Sequence, residues 1–271
     1  MGMPFPFLSR QPRVAVVRLS GLIAARGGLL PGGGLSLESV GPVLERAFGL
    51  KRLAGVVLAI NSPGGSPVQS SLIAHRIRQL ANQHRVPVIA CCEDAAASGG
   101  YWLACAAEEI VADPSSIVGS IGVVSAGFGL ETLAAKLGVE RRLATAGGQK
   151  SFLDPFRPVE DWQRERLQEL LDALHAEFKA WVHERRGTRL KAPEAELFNG
   201  RFWTGRQALP LGLVDRLGDA RGEIRRRFGE KVQVVSLGQR RPPLPLRLLR
   251  GAAAEAVAGL EERAAWARIG L

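Results

Sequence analysis

VPVIACCEDAAASGGYW, residues 86–102, is the stretch on which the fold turns. Its first seven residues, 86–92, form an apolar run that reads as a strand buried on both faces. Residues 97–109 read as a helix, with Ser98 in the first turn. Small residues crowd the approach to that serine, and two glycines follow it. A strand-to-helix junction leaves backbone N–H groups free and turns the positive end of the helix dipole outward. Two readings fit Ser98: a helix N-cap, or a nucleophile whose neighbour Gly99 offers its N–H to an oxyanion.

Working outward, the same alternation continues. VAVVRLSGLI (14–23) and AGVVLAINSPGGS (54–66) are apolar runs, the second ending in a sharp turn. The segment 35–49 reads as a helix with Ser36 or Ser39 near its start, and 69–83 places Leu72, Ile73, Ile77 and Leu80 at helical spacing. IVADP (110–114) is a short strand and turn, 131–138 a helix, and ERRLATAGG (140–148) strand-like. A long amphipathic helix spans 159–187 and stops at Gly187, and 244–270 is Ala- and Leu-rich and expected to be helical. GGLLPGGG (27–34) is expected to be a mobile loop. Strands and helices in alternation, with continuous apolar strands, predict an α/β protein around a parallel sheet.

The chain has 271 residues, 46% of them apolar, enough for one sizeable core. Three cysteines, two of them adjacent (Cys91, Cys92) and one in an Ala-rich helix (Cys105), predict buried thiols rather than a disulfide framework. No spacing suits a zinc site, so neither metal nor cofactor is expected. No segment reaches the roughly 18 apolar residues of a membrane span, and the first residues do not read as a signal peptide. The chain is therefore expected in the cytoplasm, or peripheral at the inner face of the membrane. The net charge is +10, and residues 221–250 hold nine Arg or Lys against two Glu. Without aromatic platforms or a reader motif this predicts no nucleic-acid partner. It fits a solvated basic face or contact with an anionic membrane surface.

A serine hydroxyl needs a base. His75, His84, His175 and His183 lie on or just after amphipathic helices and read as solvated side chains. Lys150, between TAGGQ and SFLDPF, sits at a turn between apolar segments. A lysine works as a general base where burial favours its neutral amine. Taken alone it also reads as a surface residue. NSPGG (61–65), directly after a strand, lets the backbone approach a ligand with exposed N–H groups, or is a plain tight turn.

NSPGGS (61–66), ASGGYW (97–102), VADPSSIVGSIGV (111–123), GGQKSFLDPF (147–156) and NGRFWTGRQALPLGLVDRLGD (199–219) together resemble the SppA-type signal peptide peptidases. These are serine–lysine enzymes on a ClpP/crotonase-like fold of repeated ββα units with a long helix, here with a helical C-terminal tail. The resemblance covers roughly residues 13–235 and implies one peptidase domain over 1–235, followed by a basic, helical extension over 236–271. It implies Ser98 as nucleophile, Lys150 as base 52 residues later, Ser120 as hydrogen-bond partner of the lysine amine, and Gly65 and Gly99 as oxyanion-hole donors. It also implies hydrophobic, signal-peptide-like substrates and a homo-oligomeric ring in which a neighbouring subunit can supply the lysine. Two other readings are an acyl-CoA enzyme of the crotonase type, for which Glu93 and Asp94 fall just before the helix, and a non-catalytic membrane-surface scaffold.

Overall fold

Continuous apolar runs become the central strands. The computed structural model describes residues 11–25, 34–238 and 263–271. The elements run β1 (Arg13–Ser20), α1 (Leu37–Phe48), β2 (Leu53–Ser62), α2 (Pro67–His84), β3 (Val88–Ala97), α3 (Gly99–Ala104), β4 (Glu109–Ala112) and β5 (Ile117–Gly119). There follow α4 (Glu131–Lys136), α5 (Asp161–Arg186), α6 (Glu194–Leu197), β6 (Phe202–Thr204), α7 (Gly205–Leu211), β7 (Arg216–Leu217), α8 (Ala220–Phe228) and β8 (Gln233–Leu237). This is the expected α/β class, with repeated strand and helix units and a long helix.

The chain divides into two compact units. Unit 1 takes the residues up to Gly122 and those from Lys179 onward; unit 2 is Val123–Phe178. Unit 1 holds the sheet, with strand order β6-β5-β3-β2-β1-β8 and β4 joining β3 to β7. All pairs are parallel except β5 with β6. Val56 to Ile60 of β2 are buried without a break, as a strand covered on both faces requires. Each such aliphatic side chain contributes roughly 1.5–3 kcal/mol by leaving water. On one face Val14, Val57, Ile89, Cys91 and Val111 meet Ile224, with Phe228 packed against them. Farther along the same sheet Trp266 and Ile269 pack on Ala95, Ala97 and Ile117.

Local chemistry sets the ends of the helices. Ser36 and Ser39 form a reciprocal capping box at the start of α1. In α2 the buried stripe is Ser70, Ile73, Ala74, Ile77, Leu80 and Ala81. Leu72, placed by spacing on the core face, is instead exposed, one residue off the stripe. The helix expected over 97–109 shrinks to α3, because β3 runs on through Ala97 and Cys105 already caps the helix. ERRLATAGG is not a strand: residues 140–148 are exposed backbone in neither helix nor strand. The expected C-terminal helix is helical at 263–267; the rest of 244–262, and 27–33 of the glycine-rich loop, lie outside the described residues.

Unit 2 contains α4, the irregular segment after it and the first part of α5. No residue of α4 is buried. Its order comes from polar staples: Arg141 Nε to Asp154 Oδ2 at 3.2 Å, Phe156 N to Asp154 Oδ1 at 3.0 Å, and Leu130 N to Pro155 O at 2.6 Å. The rings of Phe152 and Trp162 lie 6.2 Å apart. In α5 the last turns, with Trp181, Val182 and Arg186, are buried in unit 1, whereas Leu170 and Leu174 in the unit 2 part are exposed.

Candidate active site

Ser98 follows the last residue of β3 and precedes α3, in the N-cap position, but its side chain caps nothing. Its backbone is at φ +52°, ψ −121°, far from the extended geometry of an N-cap. Its N–H donates to Gly119 O at 2.8 Å, while among the described residues the hydroxyl has no hydrogen-bond partner. The N-cap reading is thereby excluded. What remains is a half-buried serine with an unpartnered hydroxyl on a sharp strand-to-helix turn, held in a conformation that side chains rarely adopt.

Two glycine segments crowd against this turn. A Cβ on Gly64 would stand 2.7 Å from Ser98 Cβ and 2.9 Å from Gly99 N. A Cβ on Gly99 would collide with Ser70 Oγ and stand 3.3 Å from Gly65 N. The amide nitrogens of Gly65 and Gly99 therefore lie close together beside Ser98, and among the described residues neither donates to an acceptor. Paired free amides of this kind can stabilise an oxyanion formed at the serine. The free N–H groups come from the tightness of the turns; α3, with six residues, is too short for its dipole to matter much.

Ser120 occupies the equivalent place on the next strand. Gly119 pairs with Ala97, so Ser98 and Ser120 each follow a paired residue, and both have φ +52°. Ser120 N donates to Arg201 O at 2.8 Å. Ser98, Ser120, Gly65 and Gly99 all belong to unit 1; Lys150 belongs to unit 2. Lys150 is exposed, on a turn closed by its N–H to Gly147 O at 3.1 Å.

The remaining candidates have structural occupations. His75 packs on Trp181, His84 on Phe48, and His183 on Phe198 while meeting Glu194 at 2.9 Å. Glu93 pairs with Arg18, and Asp94 accepts from Asn61. The cysteines are free and buried; burial pushes the Cys91 and Cys105 thiols up to about 12 and Cys92 higher still. Arg226 and Arg227, in the basic stretch, are engaged by Glu223 and Glu109. Two buried hydroxyls that the sequence reading passed over, Ser62 and Ser70, lie directly beneath the glycine turns. Their signal was present: a serine before Pro-Gly-Gly at a strand end, and a serine on the helical stripe of α2.

The sequence profile of Peptidase family S49 matches residues 80–234. The chain belongs to this family. A putative protease of Synechocystis is 35% identical, with the alignment covering 72% of this chain and 71% of that protein. A Brucella abortus protein named Na(+)/H(+) antiporter NhaA is 46% identical over 99% of this chain, which spans only 38% of that protein's length. The S49 fold is also that of a mutant 1510-N membrane-bound stomatin-specific protease solved with a substrate peptide. There the TM-score is 0.54 at 15% identity, covering 92% of this chain and 99% of that one. Among the described residues no helix of this S49 chain is long and apolar enough to cross a membrane.

Proposed function

We propose that this S49 chain is a serine endopeptidase that hydrolyses short hydrophobic peptides, remnant signal peptides among them, through Ser98 and Lys150. One observation supports it above the others: an unpartnered serine hydroxyl at a strained strand-to-helix turn, flanked by the free amides of Gly65 and Gly99. The unprotonated amine of Lys150 takes the Ser98 proton as Oγ attacks the peptide carbonyl. The resulting oxyanion accepts from Gly65 and Gly99, donors typically worth about 3–4 kcal/mol of barrier each. The C–N bond then breaks, the lysine proton passes to the leaving amine, and water releases the acyl group from Ser98. Ser120 orients the lysine amine.

Lys150 is exposed in the single chain, and an amine acts as a base only when unprotonated, which burial favours. We therefore read the active form as a homo-oligomer in which a neighbouring copy completes the dyad. Apolar side chains left uncovered in unit 2, Phe128 at 85% and Leu137 at 69% exposure among them, support such packing. Antiport is not carried over from the longer relatives, because the segment shared with them includes the stretch that matches the peptidase profile.

Mass spectrometry after treatment with a serine-directed acylating reagent tests the reading. The adduct is expected on Ser98, and Ser98→Ala and Lys150→Ala are each expected to abolish cleavage of a hydrophobic peptide. Full activity in either variant would refute the dyad. Acyl-CoA binding with Ser98 unlabelled would favour the crotonase-type alternative.

A further inference from the structure

We infer that Ser62 is a positioning residue for the oxyanion hole, holding the Gly64–Gly65 peptide so that the Gly65 N–H faces the reacting carbonyl. The inference rests on the peptidase reading above and adds a residue to it. Ser62 ends β2 and is 0% exposed. Its Oγ donates to Gly21 O at 2.7 Å and accepts from Gly64 N at 3.2 Å. One hydroxyl thus joins the end of β1 to the first amide of the glycine turn.

The consequence follows from peptide geometry. In a planar trans peptide the C=O and N–H point in opposite directions. Gly64 O accepts from Ile23 N at 2.8 Å, so the N–H of the same peptide, that of Gly65, is turned away from Ile23. Ser66 N returns to Ile23 O at 2.7 Å and closes the other side. Gly64 is therefore fixed at its N–H by Ser62 and at its carbonyl by Ile23. At φ +108° and flanked by φ +140° at Gly65, this backbone would have many alternatives without those ties.

Ser62 also touches the second donor segment. It pairs with Ala96, two residues before Ser98. A Cβ on Gly100 would stand 2.6 Å from Ser62 O and 3.3 Å from Ser62 Cβ, so the start of α3 lies directly on this serine. The side chain must be small enough for that approach and must both donate and accept. Serine meets these conditions; alanine leaves the Gly64 N–H and the Gly21 carbonyl without their partner.

The test compares Ser62→Ala and Ser62→Cys with the full-length protein, using a hydrophobic peptide substrate and a peptide-aldehyde inhibitor. Rates are expressed per site counted at the endpoint of Ser98 acylation. Misplacing one donor predicts a fall in kcat of about 10- to 100-fold with KM unchanged. Affinity for the aldehyde, whose adduct carries the oxyanion, should weaken in parallel. Ser62→Cys, keeping a weak donor and acceptor in nearly the same volume, should fall between the two. It carries the test alone if Ser62→Ala does not fold. Wild-type kcat and aldehyde affinity per titrated site, in whichever variant folds, would overturn the inference, even with a lowered melting temperature. Ser98→Ala runs alongside: activity there sinks the peptidase reading itself, whereas an inactive Ser98→Ala beside a fully active Ser62→Ala sinks only the role of Ser62.

Discussion

Ser98 is held at φ +52°, ψ −121°, a region in which a Cβ is crowded, and holding it there costs on the order of 1–3 kcal/mol. The hydrogen bond from its N–H to Gly119 O and the packing of Gly64 against its Cβ impose that conformation. Two variants that lack the hydroxyl should therefore differ in stability. Ser98→Gly is expected to be more stable than Ser98→Ala by about 1 kcal/mol, because only glycine relaxes there without strain. Urea melts of the two proteins measure the difference, and equal midpoints would mean the turn is not strained. The cysteines offer a pH test. Burial raises the Cys91 and Cys105 thiols from 9.0 to about 12. A proton held more firmly in the folded chain stabilises it below the unfolded value of 9.0, and that contribution is lost as pH climbs through about 12. The urea midpoint should fall between about pH 8 and about pH 10.5, and the fall should shrink in the Cys91→Ala/Cys105→Ala double variant.

At the scale of elements, α5 is tied into the sheet by one buried cation. Arg186, on its last turn, donates to Asp215 Oδ2 at 2.7 Å and Oδ1 at 3.0 Å, and to Gly212 O from Nε at 3.0 Å and Nη2 at 2.6 Å. Asp215 in turn accepts from Ile110 N of β4 at 2.7 Å. Arg186→Ala leaves the half-buried Asp215 with its main cation gone, a change expected to cost up to about 3 kcal/mol, the lower end of what breaking a fully buried pair costs. A urea midpoint unchanged from wild type would contradict it. Nothing in the sequence marks this arginine among 36 Lys and Arg, whereas the strands it anchors were plain as apolar runs. Legibility follows the same division throughout. β2 and the start of β3 were readable because burial on both faces leaves only apolar residues. The end of β3 was not, because AAA carries no strand signal until it pairs with β5. Ser98, Gly65 and Gly99 were readable as motif members. The hydroxyls beneath them, Ser62 and Ser70, stood in equally visible positions, but their burial was not readable, since burial of a small polar residue is fixed by tertiary packing.

At the scale of the whole molecule the two units are stabilised differently. Unit 1 is a sheet with a continuous apolar core, while unit 2 leaves α4 without a buried residue and relies on Asp154, whose side chain is 6% exposed, and its bonds to Arg141 and Phe156. Such a segment, with Phe128 and Leu137 facing water, is suited to being covered by another copy. Phe128→Asp and Leu137→Asp should then shift the protein toward monomer in light scattering without lowering the melting temperature of unit 1. Mixing asks the sharper question. Ser98→Ala retains every lysine and Lys150→Ala retains every serine. If the base acts within one chain, mixed assemblies have no complete site and stay inactive. If it crosses a head-to-tail interface, a site forms wherever a copy carrying Ser98 neighbours a copy carrying Lys150. In an equimolar mixture that is about a quarter of all sites, so about a quarter of wild-type activity should return. The recovery should require subunit exchange, rise with total protein concentration, and vanish when Leu137→Asp is added to both partners. Activity that never returns after demonstrated exchange would assign the lysine to the same chain as its serine.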